Sequence, residues 1–164
     1  MLNTLKGIAQ ELKADVRISY SPSTTFGSGE LIEKTVTCAD NSKTHRLILI
    51  EVQSERQAVV VLAHELGHIV YKSAQACGRL LLDKKKNIRE ILAHEILAST
   101  WALKTLCTYQ YPYLRFAIGY LAKCLNTYEL DNPYGWKKPL GTKSKRAGSE
   151  WLKIAYNGGG YEFT

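Results

Sequence analysis

VLAHELGHIVY, residues 61–71, sets two histidines and a glutamate inside an apolar helical run. His64 and His68 stand four residues apart, so on a helix they share one face, with β-carbons about 5–6 Å apart. Burying ionisable groups among Val, Leu, Ala and Ile is costly unless something binds them. Two imidazoles at this spacing can reach a single ion at about 2.0–2.1 Å. Glu65 is rotated about 100° from His64, where it can flank such an ion without ligating it and hold a water. The bland alternative is a pair of satisfied core histidines beside a surface glutamate.

Working outward, Ser54 opens this helix. Gln57 three residues on fits a capping box, and Glu55 suits the first turn. The run reaches about Lys72 and is apolar nearly all round, which predicts a central buried helix. Upstream, LIEKTVTC (31–38) and THRLILIEV (44–52) read as strands of a hairpin around Asp40-Asn41-Ser42. Val16, Ile18 and Tyr20 alternate with polar residues and give a third strand over 15–20. Leu2, Leu5, Ile8, Ala9 and Leu12 mark a first amphipathic helix over 2–13, and Ser21-Pro22-Ser23 with Gly27-Ser28-Gly29 mark a loop. Downstream, residues 75–86 read as a loop ending in Lys84-Lys85-Lys86, followed by helices over 87–108 and 113–126. The expected class is α+β, with a small three-stranded, mainly antiparallel sheet packed on a helical core.

A catalytic zinc site generally takes three protein ligands and leaves one position open. His45, at the start of a strand, is a weak candidate for the third. The helix over 87–108 offers Glu90, His94 and Glu95. With Ile88 at zero and 100° per residue, Leu92, Ser99, Ala102 and Leu106 fall within about 40° of it, and Glu95 falls at about −20°, mid-stripe. Glu90 and His94 fall at about 200° and 240°, off the stripe. Glu95 is thus aimed into the core, where a carboxylate needs a cation or several donors. The ion held by His64 and His68 supplies one; an arginine or lysine from elsewhere is the competing partner.

The chain has 164 residues, 45% hydrophobic and 23% charged, enough for one domain with a real core and unlike a disordered segment. No apolar run approaches the ~18 residues of a membrane span, and the N-terminus lacks the features of a signal peptide. A cytoplasmic protein is the expectation. Cys38, Cys77, Cys107 and Cys124 form no C-x-x-C pair, which argues against a zinc ribbon, and nothing points to a disulfide framework.

H-E-L-G-H on a buried helix, a small preceding sheet and a glutamate 27 residues after the second histidine resemble the ImmA/IrrE family of zinc metallopeptidases over roughly residues 1–108. The resemblance implies a zincin-like minimal metallopeptidase domain, with His64, His68 and Glu95 on Zn2+ and Glu65 as general base. It implies a phage or mobile-element context and a transcriptional repressor as substrate. The third-ligand helix departs from the family pattern: it reads His94-Glu95-Ile96-Leu97-Ala98, with the first small residue displaced. From these residues no helix-turn-helix segment is expected before the domain.

The domain is expected to span residues 1–126, with 127–164 as a basic, aromatic-rich extension packed on it and one short helix near 149–156. Residues 131–164 carry six Lys/Arg against three acids, interleaved with Tyr134, Trp136, Trp151 and Tyr156. Such a segment can bind nucleic acid through phosphate contacts and stacking, or wrap the domain with its lysines in water. The net charge of +7 does not decide between them.

The functional expectation is a zinc-dependent endopeptidase that hydrolyses a peptide bond in a cytoplasmic protein by Glu-assisted attack of zinc-bound water. The alternative is a non-catalytic zincin-fold module that binds protein or nucleic acid through its tail. Were strand 44–52 at a sheet edge, an extended substrate could pair with it beside the metal.

Overall fold

The computed structural model describes residues 1–23, 27–38, 41–71 and 84–126. The expectations for the tail after 126 and for residues 75–83 lie outside them. The chain runs α1 (Leu2–Glu11), β1 (Ala14–Tyr20), β2 (Ser28–Cys38), β3 (Asn41–Val52), α2 (Glu55–Val70), α3 (Lys84–Thr108) and α4 (Leu114–Asn126). The class is α+β, with four helices among the described residues and a three-stranded sheet. No helix among them is long and apolar enough to cross a membrane.

The sheet corrects the sequence reading in one respect, its strand directions. Its strand order is β1-β3-β2, and it is mixed rather than mainly antiparallel: β3 pairs parallel with β1 and antiparallel with β2. β2 and β3 do form the expected hairpin, but β3 then inserts between β2 and β1. The reason is burial. Ile48, Ile50 and Val52 are fully buried on one face of β3, while Leu47 and Leu49 are half-buried on the other. The strand with apolar residues on both faces takes the position with neighbours on both sides. β3 is therefore no edge, and a substrate cannot pair with it; among the described residues the edges are β1 and β2.

On the helical face of the sheet, Val16 and Leu31 flank Ile48, and Ile18 and Gly29 flank Ile50. α2 lies across this face and is covered in turn by α1, α3 and α4. Gln57 through Ala63 and Glu65 through Ile69 are all buried, so α2 is the central helix its composition predicts. Leu5 and Ala9 of α1, one turn apart, pack beneath it, and Leu92, Ala102 and Leu106 of α3 join the same core with Leu121 and Leu125 of α4. Each fully buried leucine contributes about 1.5–3 kcal/mol relative to exposure.

Local signals set the helix ends. The Ser54 side chain accepts a bond from the Gln57 N–H at 3.4 Å, as a cap should. The reciprocal arm differs from a strict capping box, because Gln57 Oε1 accepts from the N–H of Gln53, at 2.7 Å, rather than from Ser54. α1 ends at a left-handed residue, Lys13 with φ 56°, which turns the chain into β1. α3 begins at Lys84, a turn earlier than the lysine run suggests. At the far end, Tyr120 donates its hydroxyl to the Gly27 carbonyl at 2.9 Å, tying α4 to the entrance of β2.

Candidate metal centre

α2 and α3 meet with unusually little between them. A Cβ on Gly67 would stand 2.6 Å from the Ala98 carbonyl oxygen, so at this crossing backbone touches backbone. His64 and His68 lie on α2 about this point, and Glu95 lies one turn before Ser99 on the facing side of α3. The helical repeat puts each pair on one face, and the close crossing brings the faces together.

The three expected ligands converge. His64 Nε2 lies 3.1 Å from Glu95 Oε2, His68 Nε2 lies 3.5 Å from Glu95 Oε1, and the two Nε2 atoms are 3.1 Å apart. The imidazoles meet edge to face, with centroids 4.7 Å apart and planes at 89°. A tetrahedral ion with bonds of 2.0–2.1 Å separates its ligand atoms by about 3.3 Å, so the spacing fits one metal ion. This is the one group of three potential ligands among the described residues that gathers in this way. Two histidines and a carboxylate suit Zn2+, and also other first-row divalent ions.

The electrostatics agree. Burial pushes Glu95 up, but hydrogen bonds and charge from His64 and His68 outweigh it and hold the carboxylate well below its usual range. Among the described residues no lysine or arginine pairs with Glu95, so the competing partner considered from sequence is not found there. His45 is exposed on β3 and Glu90 is exposed on α3, both outside the group. His94 is half-buried beside Glu95. Its Nδ1 is buried without a hydrogen-bond partner among the described residues, and burial, then the charge of His68, lowers its pKa.

Glu65 takes no part in this triangle, and its carboxyl group lies against the sheet while still feeling the charges of His68 and Glu95. It is only 7% exposed. Burial pushes its carboxyl up to about 7; His68 opposes this, and the negative charges of Glu95 and Glu30 add to it. Its carboxyl group rests on the β2 backbone. A Cβ on Gly29 would stand 2.9 Å from Glu65 Cδ and 2.6 Å from Val61 Cγ1. The sequence placed Gly29 in a loop, whereas it is a strand residue whose missing side chain makes room for Glu65.

A second contact was invisible from sequence. Ser99 Oγ lies 3.1 Å from His64 Nδ1, on the ring edge opposite Glu95. The available signal was a hydroxyl in the middle of the apolar stripe of α3, and it says nothing of a partner. Tested against protein families, curated proteins and solved structures, the chain finds no match.

Proposed function

We propose that this protein is a zinc-dependent endopeptidase. The observation that carries the reading is the convergence of His64, His68 and Glu95 beside a buried carboxylate, Glu65, that takes no part in the triangle. A purely structural metal site has no need of that fourth group. The resemblance of HELGH and the downstream glutamate to the ImmA/IrrE family supports the same conclusion. It extends the proposal to a cytoplasmic protein substrate, such as a transcriptional repressor.

Bound by these three side chains, zinc supplies Lewis acidity and brings the pKa of a water toward ~7. Glu65, a buried carboxylate beside the three ligands, takes the proton of the attacking water as general base. As the peptide C–N bond breaks, Glu65 delivers that proton to the leaving nitrogen, and the hydroxyl oxygen stays on the new carboxylate. Substrate alignment falls to β2, the strand against which Glu65 rests and an edge of the sheet among the described residues, because an extended peptide can pair with a strand edge.

The test has two stages. Metal analysis of the purified protein should find one zinc per chain. New protein N-termini should then arise in a lysate treated with the protein, and not with Glu65→Gln or after chelation. A zinc-loaded protein whose cleavage products are unchanged in Glu65→Gln would remove Glu65 from the reaction.

A further inference from the structure

We propose that Ser99 is the positioning residue for His64, holding its ring so that Nε2 faces the metal. The inference rests on the metal-binding reading above. It starts from a ring bracketed on both edges by one helix face: Glu95 Oε2 lies 3.1 Å from Nε2, and Ser99 Oγ lies 3.1 Å from Nδ1. Glu95 and Ser99 are one turn apart on α3, so both edges of the imidazole are set by the same rigid element.

A neutral imidazole can ligate through Nε2 only if Nδ1 carries its proton. That N–H then needs an acceptor, since the site is buried and an unpaired donor there is costly. Ser99 is 1% exposed and stands in a stripe that is apolar apart from Ser99 itself and Glu95, where a hydroxyl without a partner would be unfavourable. Its oxygen accepts the Nδ1 proton, which selects the tautomer and prevents the ring from flipping. Such partners behind a ligating histidine are worth 10–100-fold in metal affinity.

The experiment is a zinc competition titration against a chromophoric chelator, using the full chain as wild type, Ser99→Ala and Ser99→Thr. Ser99→Ala should bind zinc 10–100-fold more weakly. In the metal-free protein the variant loses the single Ser99–His64 hydrogen bond, so its thermal midpoint should fall by no more than a few degrees and its fold should be kept. Ser99→Thr keeps the hydroxyl and should recover most of the affinity. Equal zinc affinity in wild type and a folded Ser99→Ala would overturn the proposal. Nitrogen-15 spectra of zinc-loaded wild type give a check that needs no variant: His64 must be protonated at Nδ1, and coordination through Nδ1 would also overturn it. A wild type that takes up no zinc would instead fail the metal reading itself.

Discussion

Gly67 of α2 lies against Ala98 of α3 so closely that a Cβ on the glycine would meet the Ala98 Cα at 2.8 Å and its carbonyl oxygen at 2.6 Å. Helix axes usually keep 8–10 Å apart because side chains separate them. Here the separating side chain is missing at the one position flanked by both histidines and facing the helix that carries Glu95. The glycine of HELGH thus sets the distance across which the three ligands meet.

Gly67→Ala should therefore destabilise the protein by about 1–3 kcal/mol through overpacking. The same change in an open helix would gain about 0.5–1 kcal/mol, so the sign alone is informative. Urea unfolding of chelator-treated protein measures it. A variant as stable as wild type would show that the two helices have room to spare.

The ligand assignment separates neighbours on one helix. His64→Ala, His68→Ala and Glu95→Ala should each weaken zinc binding at least 100-fold, because each removes a bond to the ion. Glu90→Ala, at an exposed site outside the group, should stay within about threefold of wild type. Equilibrium dialysis of the purified variants distinguishes these outcomes, and a Glu90 effect as large as that of Glu95 would reassign the third ligand.

Glu65 makes a prediction about the metal-free protein that needs no substrate. Its folded-state pKa of about 7 lies above its ordinary value of 4.5, so between these values the native state holds a proton that the unfolded chain has released. Stability contributed by this group is complete below about pH 4.5 and is lost as the pH rises toward 7. Glu65→Gln removes that dependence. It should stabilise the chelated protein by on the order of 3 kcal/mol at pH 8 and by almost nothing at pH 4. Thermal melts at the two pH values test this; an equal effect at both would mean that burial of the charge is not the cause.

Gly29→Ala should cost about 1–3 kcal/mol, although alanine is normally the better strand residue, because the new methyl group meets Glu65 and Val61. In the double variant Gly29→Ala/Glu65→Ala, where space has been opened, the cost of the methyl should shrink by at least half. Simple additivity in that cycle would show that Gly29 and Glu65 do not press on one another.

The local elements were legible because their causes are local. The Ser54 cap, the 3.6-residue period of 55–70 and the i, i+4 spacing of His64 and His68 need no knowledge of the rest of the chain. The inward placement of Glu95 also followed from the helical wheel alone, since a period fixes which residues share a face. Strand order did not follow in this way. β2 and β3 pair as a hairpin whatever their neighbours do, but β1 joins β3 only because β3 is apolar on both faces and gains most from a second neighbour. Gly29 reads as a loop residue, and Gly67 and Ser99 carry no role of their own, until β2, α2 and α3 are brought together. Their roles consist of contacts between segments distant in the chain, and such contacts are settled by the packing of the whole core rather than by any stretch of sequence.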